Sequence, residues 1–154
     1  MFLERLSDTI IVKVMTRILF PQLILLFCFV NTSEADNLAP EKIEGARTVS
    51  TVTAKLLFDK GYHFIDVRGL DDFKMGHIPG AYHLSIKSDF DERNLSVIVK
   101  KSQPVVIYCN GILCMGSSIA IKKAIDWGWS NIFYYREGIG DWKQQGYSVH
   151  SIKP

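Results

Sequence analysis

The sequence of 154 residues has little excess charge of either sign, with 18 Lys and Arg, 16 Asp and Glu and a net charge of +2. No basic stripe interleaves with aromatic residues, so the pattern of a nucleic-acid-binding protein is missing. The histidines also lack the spacing of a zinc site, and we expect neither a metal nor another cofactor. Apolar residues make up 47% of the chain, which is typical of a single globular domain.

The chain also lacks an apolar run of the length that a membrane-spanning helix needs, about 20 residues. Its longest run covers residues 18–30, follows Arg17 and contains one polar residue. Such a short run behind a basic residue is typical of a secretory signal peptide. Small residues at Ser33 and Ala35 supply the cleavage pattern that signal peptidase recognises.

These features predict a signal peptide over residues 1–35, with Met15 as an alternative start. We expect export to a bacterial periplasm without lasting insertion in the membrane; the alternative is an uncleaved anchor with the protein facing the periplasm. Cleavage would remove Cys28 and leave Cys109 and Cys114. Two cysteines in an oxidising compartment usually form a structural disulfide, but a bridge over so few residues would stabilise the fold little. We therefore expect the pair to serve chemistry rather than folding.

Residues 49–154 alternate between helix-like and strand-like segments, after a segment 36–48 without clear periodicity that is predicted to be a mobile lead-in. Strands separated by helices predict an α/β domain with a parallel sheet covered on both faces. The predicted strands are 63–67, 81–84, 104–108 and 131–135, and the predicted helices are 51–60, 71–75, 91–100, 117–127 and 141–145. The apolar positions that indicate the first helix are Val52, Leu56 and Leu57, and those expected to face inward in the third are Leu95, Val97 and Ile98.

Cys109 is the best candidate for a reactive residue because it directly follows the most apolar predicted strand. Sites in open α/β sheets lie at the carboxyl ends of the strands. The loop after Cys109 leads into a helix, whose positive end would favour a thiolate and lower the pKa of the cysteine. The alternative is an inert buried cysteine.

Several segments together resemble the rhodanese family over residues 49–149. The matching features are 64–68, 76–81, the strand that runs into Cys109, Gly128 and Trp129, 131–135, Gly138, Trp142, and Gly146 with Tyr147. The resemblance implies a rhodanese-like domain over 49–154 that transfers a sulfane sulfur. A single domain with an exported N-terminus is similar to the bacterial envelope members.

The resemblance also implies a mechanism. The Cys109 thiolate would take sulfur from a small sulfur-containing anion such as thiosulfate, or from a persulfide, and would hold it as a cysteine persulfide. A thiol or another thiophilic acceptor would then remove the sulfur, in two displacements. The sequence carries no feature that sets an oligomeric state.

The active-site loop departs from the commonest family pattern, Cys-x-x-Gly-x-Arg-Ser. After Cys109 the loop reads Asn110, Gly111, Ile112, Leu113, Cys114, Met115, Gly116, Ser117 and Ser118. It is similar to a subgroup with a Cys-Asn-Gly-x-x-Cys loop, in which an arginine or lysine often precedes the serines; here Gly116 takes that place. We therefore expect backbone amides, the two serines and a more distant cation to bind an anionic donor.

Four other residues receive a predicted role. Cys114 either attacks the Cys109 persulfide and releases sulfide, or protects Cys109 from overoxidation; the alternative is a small apolar filler. Arg68, which the resemblance places near the loop, either helps to bind the donor or forms an ion pair with a neighbouring aspartate. Asp66 is expected to fix loops by accepting N–H bonds, and His77 is expected to be a structural hydrogen-bonding residue.

The sequence also bears on three functions other than sulfur transfer. A related phosphatase would need an arginine six residues after the cysteine, where Met115 stands. A thioredoxin-like oxidoreductase would prefer the spacing Cys-x-x-Cys. A non-catalytic sulfur carrier or an interaction or redox-sensing module on the same fold stays open as the alternative to an enzyme.

Overall fold

The computed structural model describes residues 38–152, so the predicted signal peptide over 1–35 lies outside the described residues. The strands are β1 (Ala46–Thr48), β2 (His63–Asp66), β3 (Tyr82–His83), β4 (Val105–Tyr108) and β5 (Ile132–Tyr135). The helices are α1 (Thr51–Asp59), α2 (Leu70–Met75), α3 (Glu92–Ile98), α4 (Gly116–Asp126) and α5 (Gly138–Gln144). None of the helices in this part of the chain is long and apolar enough to cross a membrane.

The strands form one parallel sheet in the order β1-β5-β4-β2-β3. β4 lies at its centre and pairs with β2 on one side and with β5 on the other. All four residues of β4 are buried, as expected for a parallel strand that is covered on both faces. The predicted α/β class and parallel sheet are confirmed.

Alternate residues of β4 point to opposite faces of the sheet, and each face has its own apolar cluster. Val105 and Ile107 belong to one cluster, and Val106 and Tyr108 belong to the other. Helices α3 and α4 contribute Leu95, Ala120, Ile121 and Ala124 to the first cluster, and α1 and α5 contribute Ala54, Leu57, Ile139 and Trp142 to the second. The helices therefore lie on both faces, as the sequence predicts.

Three of the apolar side chains that indicate the first and third predicted helices are exposed instead of buried. They are Val52 and Leu56 in α1, and Val97 in α3, which is 82% exposed. α1 turns the face that contains Thr51 inward, because the Thr51 hydroxyl has hydrogen-bond partners inside the domain. A polar residue with such partners can occupy a core position, so the apolar residues alone did not mark the buried face.

Within residues 38–48, the described part of the predicted lead-in, the structure shows regular contacts with the domain. The last residues of this lead-in form β1, which pairs with β5, and Ala39 and Ile43 are buried. β1 is only three residues long and reads Ala-Arg-Thr, so it has no apolar alternation that would predict a strand. Pairing with a strand far along the chain, rather than a local pattern, puts it in the sheet.

Candidate functional site

The carboxyl ends of β2, β4 and β5 meet at one edge of the sheet, where the candidate residues gather. Arg68 comes two residues after β2, and Cys109 and Arg136 directly follow β4 and β5. Crevices at this edge are the usual ligand-binding position in open α/β sheets. Cys109 is 3% exposed, so the predicted nucleophile lies just below the surface of this edge.

A disulfide bond joins Cys109 to Cys114, and their Cα atoms are 6.3 Å apart. Cys109 belongs to the buried apolar cluster under α4, whereas Cys114 packs against that cluster and stays partly exposed. A bond across so short a loop contributes less chain entropy to stability than one across a long loop. It does place the two sulfurs in contact, which is what both predicted redox roles of Cys114 require.

Backbone hydrogen bonds hold the start of the loop against the start of α5. The Ile139 N–H donates to the Cys109 carbonyl and the Gly140 N–H donates to the Asn110 carbonyl, both at 3.0 Å. These donors are the orphan N–H groups that a helix presents at its first turn. The loop carbonyls therefore accept hydrogen bonds from the first turn of α5, and these bonds fix the position of Cys109.

Gly138 allows this close approach, and α5 begins there rather than at the predicted Asp141. Gly138 has a φ of +61°, and a Cβ atom on it would lie 2.3 Å from the Cys109 carbonyl oxygen and 2.9 Å from the Gly111 nitrogen. Real Cβ atoms do not come so close to backbone, so glycine is required. The resemblance includes Gly138, but its contact with the nucleophile's own carbonyl was not predicted.

A second contact that the sequence did not predict holds the outer side of the loop. The Ala39 N–H donates to the Ile112 carbonyl at 2.7 Å. In turn the Ala39 carbonyl accepts from Nε and Nη2 of Arg136, at 2.9 and 2.8 Å. The segment before β1 therefore connects the loop to the end of β5, and it engages the Arg136 guanidinium.

The helix α4 begins at Gly116, directly beside both sulfur atoms. A Cβ atom on Gly116 would lie 3.2 Å from Cys109 Sγ and 3.4 Å from Cys114 Sγ, so bare helix backbone faces the disulfide. The first N–H groups of a helix have no acceptor within the helix, and Met115 provides no side-chain cap. The positive end of α4 therefore favours a thiolate or a persulfide anion at Cys109.

The two serines that follow Gly116 are buried and do not offer their hydroxyls to solvent. Ser118 Oγ donates to the Met115 carbonyl at 2.8 Å. Ser117 Oγ and the Tyr134 hydroxyl are buried without a hydrogen-bond partner among residues 38–152. Burial also raises the pKa of Tyr134. An anionic donor would therefore meet the N–H groups of these serines rather than their hydroxyls.

Arg68 forms a buried ion pair with Asp66, which is one of its two predicted roles. Its Nε and Nη2 donate to the two carboxylate oxygens at 2.9 and 2.6 Å, and Nη2 also donates to the Gly76 carbonyl at 2.7 Å. Burial alone would lower the pKa of Arg68, but the hydrogen bond and charge of Asp66 outweigh burial and raise it. Only Nη1 turns to the loop, 3.5 Å from Asn110 Oδ1. Arg68 would have to break its hydrogen bonds with Asp66 before more than one of its guanidinium nitrogens could bind a donor.

His77 has structural contacts. Its Nδ1 is 2.9 Å from the Phe73 carbonyl oxygen, and its ring stacks on the Phe73 ring with centroids 3.8 Å apart. Its backbone also exchanges two hydrogen bonds with His150. Within the described part of the chain, no group of three His, Cys, Asp or Glu side chains could hold a metal ion.

A depression of about 330 Å³ opens beside the disulfide and is lined by Asn110, Gly111, Ile112, Leu113 and Cys114. Ile112 and Leu113 are exposed, Leu113 by 75%. None of the five lining residues carries a charge. The entrance to the candidate site is therefore apolar, and the N–H groups of α4 supply the positive potential behind it.

Comparisons with known proteins give a family and a fold. The family model described as the Rhodanese-like domain matches residues 35–145. The uncharacterized protein YibN of Escherichia coli K12 is 32% identical over 80 residues, which are 51% of this chain and 53% of YibN. The chain thus spans about half the length of the curated relatives it matches.

Two solved structures show the same fold. The BH2092 protein of Bacillus halodurans superposes with a TM-score of 0.62 at 22% identity, over 70% of this chain and 78% of that one. A thiosulfate sulfurtransferase of Pseudomonas aeruginosa gives a TM-score of 0.60 at 18% identity, over 70% of this chain and 21% of that one. Because the family model covers well over half of the sequence and these structures share its fold, the chain belongs to the rhodanese-like domain family.

Proposed function

We propose that this protein is a sulfurtransferase in which Cys109 carries a sulfane sulfur as a persulfide. The single observation that carries the proposal is the position of Cys109, at the carboxyl end of the central strand and against the uncapped start of α4. That position combines a nucleophile with N–H groups that stabilise its anion. Membership in the rhodanese-like family supports the same reaction class.

The transfer has two displacements. The Cys109 thiolate attacks the outer sulfur of the donor; a new S–S bond forms, the donor's S–S bond breaks, and the leaving group takes the electron pair. The acceptor thiolate then attacks the outer sulfur of the persulfide, and Cys109 leaves as a thiolate again. The N–H groups of α4 stabilise the anion at each stage, which is the role that an oxyanion hole has in acyl transfer.

The preferred donor is a persulfide rather than thiosulfate. Thiosulfate carries two negative charges, whereas the loop and the depression carry no basic side chain. The guanidinium groups of Arg68 and Arg136 are engaged by Asp66 and by the Ala39 carbonyl. A donor of lower charge depends less on a free basic side chain for its binding free energy. Turnover with thiosulfate is therefore expected to be slow. This same feature favours the second candidate function, a sulfur carrier that loads but does not turn over.

Cys114 controls whether Cys109 is available as a thiolate for sulfur transfer. Cys109 has no free thiolate while it is bonded to Cys114, so the pair must be reduced before sulfur is loaded. Once Cys109 holds a persulfide, the Cys114 thiolate can attack the inner sulfur; the disulfide re-forms and hydrosulfide leaves with the electron pair. The disulfide also protects Cys109 from further oxidation.

The test is mass spectrometry of the full chain carrying Cys28→Ser, reduced, desalted and exposed to thiosulfate or to a small persulfide. One added sulfur atom is expected in this parent and, for longer, in the Cys114→Ser variant. The Cys109→Ser variant is the matched control and should gain none. Sulfur on Cys109→Ser, or no sulfur on Cys114→Ser with either donor, would refute the proposal. Added cyanide then separates an enzyme, which forms thiocyanate continuously, from a carrier, which forms one equivalent.

We also propose that the protein works after export to the periplasm. The support is the short apolar run behind Arg17 and the small residues at Ser33 and Ala35. Sequencing the N-terminus of the protein from its natural host is expected to show cleavage after Ala35. An intact N-terminus on protein recovered from the cytoplasm would contradict this proposal.

A further inference from the structure

We propose that an external thiol opens the Cys109–Cys114 disulfide at Cys114, not at Cys109, and that it enters through the apolar depression beside Cys114. The inference rests on the proposed function in one respect, since it concerns the reduction that frees Cys109 to accept sulfur. It assigns Cys114 a role in the reduction that precedes sulfur loading, as the sulfur atom that the reductant attacks.

Access decides which sulfur is attacked. Thiol–disulfide exchange requires the attacking thiolate to reach one sulfur directly, so its rate depends on exposure. Cys109 is 3% exposed and belongs to the buried cluster under α4. Cys114 is partly exposed and lines the depression. An incoming thiolate therefore reaches Cys114 Sγ without disturbing the core.

The products of this attack suit the site. The incoming R–S⁻ forms a bond with Cys114 Sγ, the Sγ–Sγ bond breaks, and its electron pair leaves on Cys109 as a thiolate. That thiolate lies against the start of α4 at Gly116, where the helix end stabilises it. A second R–S⁻ then attacks the mixed disulfide, R–S–S–R departs, and Cys114 leaves as a thiolate. Two external thiols are oxidised and one disulfide is reduced. Attack at Cys109 would instead block the nucleophile.

The depression indicates the class of thiol that enters. Ile112 and Leu113 present exposed apolar side chains beside Cys114, and none of the lining residues is charged. A cysteine with apolar neighbours, in a peptide or protein segment, would cover these side chains on approach. A cysteine between acidic neighbours would lose hydration there without gaining a partner. The reductant is therefore a polypeptide cysteine with apolar flanks.

The first experiment locates the mixed disulfide. The oxidised full chain with Cys28→Ser is mixed briefly with a limiting amount of a synthetic peptide Ac-Ala-Val-Cys-Leu-NH₂, quenched in acid and alkylated. Fragmentation between the two cysteines then shows which one holds the peptide. The peptide is expected on Cys114 and the alkyl group on Cys109; equal distribution or the reverse would overturn the proposal. Because no sulfane sulfur is involved, the result is independent of whether Cys109 proves to be a sulfur acceptor.

The second experiment tests the depression by the rate of disulfide opening. The apolar peptide is compared with Ac-Asp-Glu-Cys-Asp-NH₂ at equal thiolate concentration, in the parent, in Leu113→Ser and in Val97→Ser. Val97 is a matched control because it is similarly exposed, 82% against 75%, but does not line the depression. Leu113→Ser is expected to slow the apolar peptide about fivefold, because part of a leucine surface is no longer covered. Equal rates for the two peptides, or an equal effect of both substitutions, would refute the proposed entry.

Discussion

The structure predicts how much the free energy of unfolding falls when a methyl group is added at Gly138. Its φ of +61° is a left-handed conformation, and its Cβ position lies 2.3 Å from the Cys109 carbonyl oxygen. Gly146 has a similar φ of +75°, but no heavy atom lies within 4 Å of its Cβ position. The two alanine substitutions therefore share the conformational cost and differ in the collision.

The expected magnitudes follow from these two contributions. A left-handed conformation costs an alanine roughly 1–2 kcal/mol, and this is the full effect expected for Gly146→Ala. Overpacking against backbone adds roughly 1–3 kcal/mol, so Gly138→Ala is expected to cost about 2–5 kcal/mol. The carbonyl of Cys109 must also move, which weakens its hydrogen bond from Ile139.

Urea unfolding of the two oxidised variants measures this difference, with an unchanged m-value as the sign that only stability has changed. Amide hydrogen exchange at Ile139 gives the local readout, and it should speed up in Gly138→Ala alone. If Gly138→Ala costs no more than Gly146→Ala, α5 does not hold the nucleophile as described. If stability falls but exchange at Ile139 is unchanged, the collision is relieved elsewhere and the argument fails.

Three further predictions concern buried polar groups, and each can be measured by urea unfolding. Asp66→Asn leaves the buried charge of Arg68 without its partner and is expected to cost about 3–5 kcal/mol; a cost below ~1 kcal/mol would contradict the pairing. Tyr135→Phe removes a hydrogen-bonded hydroxyl and should cost about 1 kcal/mol, whereas Tyr134→Phe removes one without a partner among residues 38–152 and should be neutral or stabilising; the reverse order would refute this. Burial raises the pKa values of Tyr108, Tyr134 and Tyr135, so the unfolded chain loses its phenolic protons first. The free energy of unfolding should therefore be unaffected by these groups below pH ~10 and should fall above it by up to ~1.4 kcal/mol per pH unit for each tyrosine, with a shallower fall in Tyr135→Phe.

The central strands could be predicted from the sequence because burial on both faces demands apolar residues at every position. The run 104–108 predicts β4 almost to its ends, and 131–135 predicts β5. β1 could not be predicted in this way. It lies at the edge of the sheet, and two of its three residues are exposed, so its side chains carry no periodic signal.

The nucleophile and its loop could be predicted from the sequence, because Cys109 stands between an apolar strand and a helix. The two roles of Arg68 could not be separated from the sequence, because the choice between an ion pair and a free guanidinium depends on where the backbone directs Asp66. The contacts from Ala39 and Ile139 to the loop were not predictable at all. They use backbone N–H groups, which every residue except proline possesses, so side-chain identity does not reveal them.

The strand order has a consequence for how the chain folds. β1 cannot join the sheet until β5 is present, and the central strand β4 pairs with one strand before it and with one after it. Ile139, whose N–H anchors the loop, also follows both cysteines in the chain. Until the segment from β5 to Ile139 has folded, both thiols belong to an unfinished sheet. They can therefore meet each other before the fold has buried Cys109.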